Sequence, residues 1–326
     1  MTRALQIGQK EVRTDPGRKR HHNEDSYVLQ PPLFAIADGM GGARAGEVAS
    51  ALAADALNEA EGDGGGKRIV VQLIQEANRR VHERASTDAE TSGMGTTITV
   101  ARVEDDGSVT FGHVGDSRAY LLRGDTLEQL TDDHSLVAEL VRRGELSAEA
   151  AEVHPQRSVI TRALGTDPDV DVDTFSVDGE AGDIFLICSD GLSDMVDGTT
   201  IEAIVREHRA NLGEAARALV LAANRAGGDD NITAILFELV EGAEAAGEPD
   251  EQTREYAPSL DEEDTLHPED GVAPPPPTET PAEPAVTHSE ETSAPQAGLG
   301  RRLLALTVIV ALCVVIVVLV WWGLAR

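Results

Sequence analysis

Five short acidic clusters lie in the first 231 residues of the chain, and four of them border apolar runs of strand-like composition. Their positions are 23–25, 38–42, 115–118, 189–191 and 229–231. A carboxylate at the end of a buried strand costs free energy unless a partner or a metal ion offsets its desolvation. Because Mg²⁺ and Mn²⁺ prefer carboxylate, carbonyl and water oxygens, the repeated pattern favours strand ends that converge on divalent cations.

Each cluster also has a structural explanation that requires no ion. Residues 38–42 and 190–191 have the composition of turns. Residues 229–231 follow two glycines, as at a helix end that leads into a strand. Asp116 has Arg118 beside it as an ion-pair partner. The interpretation of these clusters as metal ligands is favoured because all five occur in one chain, and five independent coincidences are implausible.

The charge and composition exclude one large class of function. The chain has 326 residues, which is enough for one large domain or two average ones, and a net charge of −31. It lacks a basic stripe and an aromatic platform for base stacking, so nucleic-acid binding is disfavoured. Cys188 and Cys313 lie in apolar runs and cannot form a disulfide framework, which is consistent with a reducing compartment.

Helical spacing alternates with strand-like runs up to about residue 240, which predicts one α+β domain over residues 1–240. The predicted helices are 46–61, 67–85, a helix capped by Thr199 or Thr200 that runs to about 208, and 214–226. The predicted strands are 26–29, 33–37, 96–103, 109–114, 119–123, 184–188 and 232–240. Short links at 104–107 and 123–125 are typical of hairpins and favour antiparallel pairing.

The composition changes after residue 240. Residues 241–300 contain ten of the fifteen prolines, and 16 Asp and Glu against a single Arg. Such a segment buries too little apolar surface to offset its ordering entropy, so we expect a disordered, acidic, proline-rich linker over 241–300.

The last segment is predicted to cross a membrane. Residues 303–325 carry no charge and are long enough to span a hydrocarbon core about 30 Å thick, which predicts a single transmembrane helix with its flanks at 301–325. Two arginines precede this segment and two tryptophans lie near its far edge. By the positive-inside tendency, the chain is expected at the cell membrane with its large N-terminal part in the cytoplasm. Residues 1–10 are polar and do not resemble a signal peptide.

The order and spacing of the clusters resemble one family. The motifs are Arg20-His-His-Asn-Glu-Asp-Ser, Asp38-Gly-Met-Gly-Gly, Gly95-Thr-Thr, Gly115-Asp-Ser-Arg, Ser189-Asp-Gly-Leu-Ser-Asp and Asp229-Asp-Asn. Together they resemble the metal-dependent serine/threonine protein phosphatases of the PPM, or type 2C, class. The resemblance covers residues 9–239, and the segment 130–165 is similar to the helical flap of bacterial members.

The resemblance implies a four-layer α-β-β-α sandwich with two central antiparallel sheets and a centre of two Mn²⁺ or Mg²⁺ ions. Asp38 matches the carboxylate that bridges both ions, and Gly39 matches a backbone carbonyl ligand. Asp190 and Asp230 match the ligands of one ion each. The residues that match acidic groups acting through metal-bound water are Glu24 and Asp25. Two ions about 3.5–4 Å apart generate hydroxide near neutral pH, so no covalent phosphoenzyme is required.

The resemblance also implies roles at the edge of this centre. Bacterial members often hold a third, weaker ion, for which Asp116 and Asp190 match the ligands and Ser158 offers a carbonyl. Arg20 matches the arginine that binds the substrate phosphate, where its two-pronged geometry suits two oxygens. Met40 departs from animal members, which carry histidine there as a proposed general acid. The residue that protonates the leaving group therefore stays open.

The sequence therefore predicts a membrane-anchored enzyme that hydrolyses phosphoserine and phosphothreonine in proteins. The expected partners are phosphoproteins, in particular bacterial Ser/Thr kinases and their substrates, and the membrane through the C-terminal helix. Two alternatives are a non-catalytic docking protein on the same fold and a phosphatase dedicated to one anti-sigma-type regulatory partner. The presence of Asp38, Asp190 and Asp230 disfavours the docking protein, because a decayed enzyme usually loses a metal ligand.

Overall fold

A computed structural model of the chain describes residues 4–41, 45–59 and 64–242. The strands in these ranges are β1 Leu5–Asp15, β2 Asp25–Gln30, β3 Leu33–Met40, β4 Gly95–Thr96, β5 Ile98–Val103, β6 Val109–Val114, β7 Arg118–Arg123, β8 Thr126–Gln129, β9 Asp173–Val177, β10 Ile184–Cys188 and β11 Ile232–Glu241. The helices are α1 Ala45–Asn58, α2 Lys67–Thr87, α3 Leu136–Arg142, α4 Ala148–Glu152, α5 Asp190–Ser193, α6 Gly198–Glu207 and α7 Leu212–Ala226.

The strands form two sheets in which neighbouring strands are antiparallel. The first sheet has the order β1-β11-β10-β7-β8. The second has the order β2-β3-β5-β6-β9, and β4 pairs with β3 beside this path. Hairpins join β5 to β6 and β7 to β8, as the short links 104–107 and 123–125 predict.

Alternation along the strands separates an inner core from two outer cores. Successive side chains of a strand point to opposite faces of the sheet. In β3, Phe34 and Ile36 join the core between the two sheets, whereas Ala35 and Ala37 pack with α1 and α2. The rings of Phe34 and Phe237 stack at a centroid distance of 4.2 Å across the inner core.

Helices cover the outer face of each sheet. Buried residues of α1 and α2 pack on the second sheet. Buried residues of α6 and α7 pack on the first. Two helical layers therefore enclose two antiparallel sheets, and the predicted α-β-β-α sandwich is confirmed.

The edge strands are where the sequence prediction was incomplete. No strand was predicted at β1, β8 or β9, which lie at sheet edges and expose many of their residues. In β1 the alternation is also interrupted by a register shift between Ile7 and Lys10. A half-exposed strand mixes charged and apolar residues, so its period-two pattern is weak.

Two local predictions were wrong in detail. The cap of α6 is Asp197, whose carboxylate accepts a 2.9 Å hydrogen bond from the backbone N–H of Thr200. The predicted strand 96–103 is broken after β4, because Thr97 instead donates its backbone N–H to the carbonyl of Asp38.

The C-terminal predictions are not addressed by this part of the chain. No helix within 4–41, 45–59 and 64–242 is long and apolar enough to cross a bilayer. The predicted transmembrane helix at 301–325 lies outside the described residues, as does the predicted linker beyond Gly242.

Removing a ring from the inner core should destabilise the whole sandwich. Phe237 is fully buried and stacks on both Phe34 and Phe185. We expect Phe237→Ala to lower the free energy of unfolding by about 3–5 kcal/mol, because it leaves a cavity between the sheets. Val153→Ala, at a side chain that is 79% exposed, should change it by less than about 0.5 kcal/mol. Urea denaturation followed by circular dichroism measures both; similar values for the two variants would contradict this packing.

Candidate metal centre and active site

The pairing of β2 with β3 brings the first candidate ligands together. Asp25 and Asp38 are register partners in this antiparallel ladder. The backbone N–H of Gly39 donates to the carbonyl of Glu24 at 3.1 Å. Four predicted site residues therefore lie at one end of one strand pair, although Asp25 and Asp38 are thirteen positions apart in the sequence.

Gly39 occupies a place where the backbone of another element approaches closely. A Cβ atom at this position would lie 2.1 Å from the carbonyl oxygen of Gly46, near the start of α1, and 2.7 Å from that of Glu24. Any side chain would push helix and strand apart. The glycine therefore lets α1 pack directly against the backbone of the predicted site.

The first sheet supplies Asp190 and Asp230. Asp190 lies two residues after β10, and Asp230 lies two residues before β11. These strands are antiparallel neighbours, so the end of one is beside the start of the other. The backbone N–H of Ser189 donates to the carbonyl of Thr233 at 3.0 Å and continues the ladder to the site.

Three of the predicted ligands carry a buried oxygen without any hydrogen-bond donor. Among the described residues, the buried side-chain atoms without a partner are Asp25 Oδ1, Asp116 Oδ1, Asp190 Oδ1 and Ser193 Oγ. A bare buried carboxylate oxygen is costly, and a cation is the partner that suits several of them at once. The donor set is all oxygen, which fits Mg²⁺ or Mn²⁺.

Among the described residues, no three or more His, Cys, Asp and Glu side chains form a group that could hold a metal ion by themselves. The case for an ion therefore rests on the unpartnered carboxylate oxygens and on the strand ends that bring them to one place.

Burial and mutual repulsion raise the pKa of the clustered carboxyl groups. Burial, followed by the charges of neighbouring carboxylates, raises the pKa of Asp38 and Asp190 well above the ordinary value. Burial raises the pKa of Asp25 to about 6 and that of Asp116 to about 7. Divalent cations would remove this penalty and let all of these groups ionise.

Two hydroxyl groups that we did not predict orient Asp25. Ser189 Oγ donates to Asp25 Oδ2 at 2.9 Å, and Thr233 Oγ1 donates to the same oxygen at 2.6 Å. They fix one carboxylate oxygen and leave Oδ1 free. The sequence did contain a signal for them: Ser189 is next to Asp190, and Thr233 lies three residues after Asp230. Both side chains are fully buried.

Asn231 holds the segment that carries Arg20. Its Oδ1 accepts from the backbone N–H of Glu24 at 2.7 Å, and its Nδ2 donates to the carbonyls of Pro16 and His22. The motif at 229–231 drew attention to this asparagine, but its partners are more than 200 positions away.

Arg20 lies at the edge of the cluster and remains partly exposed. Its guanidinium donates to Asp230 Oδ2 at 2.7 Å and to Glu24 Oε2 at 3.4 Å. Partial burial opposes the charge, but Asp230, with smaller contributions from Glu24 and Asp38, raises the pKa of Arg20 above its ordinary value. A guanidinium in this place can bind an anion that approaches the carboxylates.

Asp116 faces a cleft that the flap also lines. The cleft has a volume of about 1070 Å³, and Asp116, Asp190 and Ser158 all line it. The predicted ion pair between Asp116 and Arg118 does not form, because Arg118 binds both carboxylate oxygens of Asp133, at 2.9 and 2.7 Å. The carboxylate of Asp116 therefore remains available to bind another group.

Comparisons with known proteins agree with this fold and site. Residues 16–224 match the family model of protein phosphatase 2C. The serine/threonine phosphatase stp of Listeria welshimeri is 44% identical over 240 residues, which are 70% of this chain and 94% of that protein. The serine/threonine protein phosphatase PstP of Mycobacterium tuberculosis is 39% identical over 245 residues, which are 74% of this chain and 47% of that protein.

Solved structures give the same result. A crystal structure of the Mycobacterium tuberculosis serine/threonine phosphatase PstP/Ppp matches with a TM-score of 0.67 and 37% identity over 73% of this chain and 100% of that one. The catalytic domain of PstP in complex with two manganese ions matches with a TM-score of 0.66 and 35% identity, at the same coverage.

The chain belongs to the protein phosphatase 2C family. It is a metal-dependent serine/threonine protein phosphatase that uses Mn²⁺ or Mg²⁺, so the predicted family, enzyme class and cofactor are confirmed. The ligand role of each individual residue stays a prediction.

The raised pKa values predict how metal binding depends on pH. A carboxyl group with a raised pKa favours the folded state most below its ordinary pKa of 3.8, and this contribution is lost as the pH rises through about 6 for Asp25 and about 7 for Asp116. The metal-free protein should therefore lose stability as the pH rises from about 4 to about 7. The increase in Tm on adding Mn²⁺ should be larger at pH 7.5 than at pH 5.

Substitution of Asp116 alone tests whether the clustered carboxylates cause this loss of stability. At pH 7.5, Asp116→Asn should raise the Tm of the metal-free protein by about 2–4 °C, the change that about 1 kcal/mol produces in a domain of this size. The same variant should gain less than the wild type from Mn²⁺. Thermal unfolding with chelator and with Mn²⁺ measures both quantities. An unchanged or lower metal-free Tm would contradict the charge cluster.

Proposed function

We propose that Asp38, Asp190 and Asp230, with the carbonyl of Gly39, hold two Mn²⁺ or Mg²⁺ ions, and that Asp116 and Ser158 contribute to a third. The ions would supply a hydroxide nucleophile near neutral pH and neutralise charge on the phosphoryl group. The observation that carries this proposal is the set of bare, buried carboxylate oxygens on Asp25, Asp116 and Asp190.

Several of the chain's own residues would prepare this site. Asp25, with one oxygen fixed by two hydroxyls, and Glu24 would orient water beside the ions. Burial raises the pKa of Glu24, so this group can exchange a proton closer to neutral pH than an exposed carboxylate. Met40 has no proton to donate, so we assign the leaving-group proton to no side chain.

Arg20 would change partner during the reaction cycle. Its guanidinium is now bonded to Asp230, a proposed ligand. If Asp230 held an ion, its charge would be shared with that ion, and the donors of Arg20 would be available to a phosphate. A charge-assisted, two-pronged bond to phosphate suits arginine better than lysine.

We further propose that the substrates are phosphoproteins of bacterial Ser/Thr kinase signalling and that the chain is tethered to the cell membrane by residues 303–325. The relatives named as serine/threonine phosphatases support the substrate class. The uncharged apolar composition of the segment supports the tether. With a linker of about 60 residues, the catalytic domain would reach roughly 40–50 Å from its anchor and meet membrane-bound kinases at a raised effective concentration.

Substitution of Asp38 and Arg20 tests the catalytic proposal. With a phosphothreonine peptide and saturating Mn²⁺, we expect Asp38→Asn to lower kcat at least about 1000-fold, because it removes the ligand shared by both ions. Arg20→Ala should mainly raise KM, by about 10–100-fold, because a charged hydrogen bond contributes about 1.5–3 kcal/mol. Arg20→Lys should recover part of this loss.

Arg18→Ala is the matched control, because Arg18 is an exposed arginine two positions away whose side chain donates no hydrogen bond among the described residues. It should leave kcat and KM within about twofold of the wild type, since a surface substitution of this kind has little effect. Metal-dependent turnover that survives Asp38→Asn would contradict the proposed bridging ligand.

Fractionation of cells tests the membrane tether. Deleting residues 301–326 should move the chain from the membrane pellet to the supernatant, while replacing 303–325 by an unrelated apolar segment of the same length should return it. Peptide turnover by the deleted chain should stay within about twofold, because the carboxylates lie in a separate part of the sequence. A deleted chain that still sediments with membranes would contradict the tether.

A further inference from the structure

His134 binds directly to the backbone that carries Asp116. The backbone N–H of Gly115 donates to His134 Nδ1 at 3.0 Å, and the backbone N–H of His134 donates to the carbonyl of Gly115 at 2.8 Å. The imidazole is 2% exposed. These two bonds clamp the residue immediately before Asp116.

The same histidine closes the base of the flap. Its carbonyl accepts from the backbone N–H of Thr161 at 2.8 Å. Next to it, Ser135 and Ile160 form an isolated antiparallel bridge, and the N–H of Leu136 donates to the carbonyl of Val159 at 2.9 Å. The two ends of the segment 135–160, which contains Ser158, are therefore held together at His134.

The orientation of the ring is set from outside the site. Nε2 lies 3.2 Å from Asp173 Oδ2 and 3.1 Å from Arg162 Nη1. Because Nδ1 accepts from Gly115, the proton of the neutral imidazole is on Nε2, and of these two neighbours only the carboxylate can accept it. Arg162 holds the other oxygen of Asp173 at 2.6 Å. Asp173 therefore fixes the ring in the tautomer that can receive the Gly115 N–H.

Asp116 depends on its backbone for its position. Its Oδ1 has no hydrogen-bond partner, so no donor at this oxygen holds the carboxylate in place before an ion arrives. Gly115 has a φ of +116°, and a Cβ there would lie 2.5 Å from the side chain of Thr97. Only glycine fits this turn, and the His134 ring accepts the backbone N–H of that glycine.

We propose that His134 is a positioning residue that couples the flap to the third metal site, by holding Asp116 through Gly115 and Ser158 through the base of the flap. This inference rests on the proposed function. In it, His134 sets the affinity of the third ion and leaves the two ions at Asp38 unaffected. It touches neither the ions nor the substrate.

Two substitutions of His134 distinguish the roles of its two ring nitrogens. His134→Asn places an amide oxygen near Nδ1 and can still accept from Gly115, whereas His134→Gln extends towards Asp173 and loses that acceptor. Asp173→Ala removes the partner of Nε2 from a side chain that is half exposed, so it should fold. Asp171→Ala removes the same charge from a neighbouring exposed residue and is the control.

The experiment counts bound Mn²⁺ per full-length chain against free Mn²⁺, using the paramagnetic resonance signal of the free ion, with kcat and KM for a phosphothreonine peptide measured in parallel. We expect His134→Gln to weaken the third ion about 10–100-fold, the usual effect of losing a group that orients a ligand, and to leave the two tight ions unchanged. Asp173→Ala should weaken it less, and His134→Asn and Asp171→Ala should resemble the wild type.

Other outcomes overturn the inference. Wild-type affinity for the third ion in His134→Gln would do so, as would a wild type that binds only two ions. Equal losses in Asp173→Ala and Asp171→Ala would show a charge effect without any role of the ring. If the folded wild type binds no ion and does not hydrolyse the peptide, the proposed function fails as well, which is a distinct result.

Discussion

Repulsion between buried carboxylates is the constraint on which the rest of this structure depends. Asp38 and Asp190 have pKa values well above the ordinary value, because of burial and the charges of neighbouring carboxylates that include Asp25 and Asp116. An unsupported loop would move such charges into water. Here each is anchored at the end of a strand in a sheet that is buried on both faces, so the repulsion is opposed by the packing of the whole sandwich.

The two oxygens of the Asp25 carboxylate have different surroundings. In Asp25, one oxygen accepts two short hydroxyl bonds and the other is bare. The bound oxygen fixes direction, and the bare one is available to a cation or its water. For Asp116 we infer a different arrangement, in which the backbone of Gly115, bound by the ring of His134, sets the position of the carboxylate. Hydrogen bonds from side chains and hydrogen bonds to the backbone are thus two ways to hold a carboxylate oxygen where an ion can bind it.

The sequence could predict the parts of this molecule that depend on local pattern. Strands buried on both faces, such as β10, are continuous apolar runs, and the acidic motifs end them visibly. The contacts of Asn231 with Glu24 and of His134 with Gly115 could not be predicted, because they join residues that only the sheet topology brings together. The cap of α6 was misplaced because Asp197 and the threonines that follow it are all residue types that cap helices, although aspartate is the better cap.

The pairing of β1 with β11 has a consequence for how the domain can be attached to anything else. Leu5 is the register partner of Glu241, and Asp15 is the partner of Ile232. The Ile232 end of this pair leads directly into Asp230 and the Arg20 segment. The chain continues from the Glu241 end, which is about 31 Å away at the rise of an antiparallel strand. A load acting on the chain at Gly242 is therefore applied at the end of this ladder that is remote from Asp230 and Arg20.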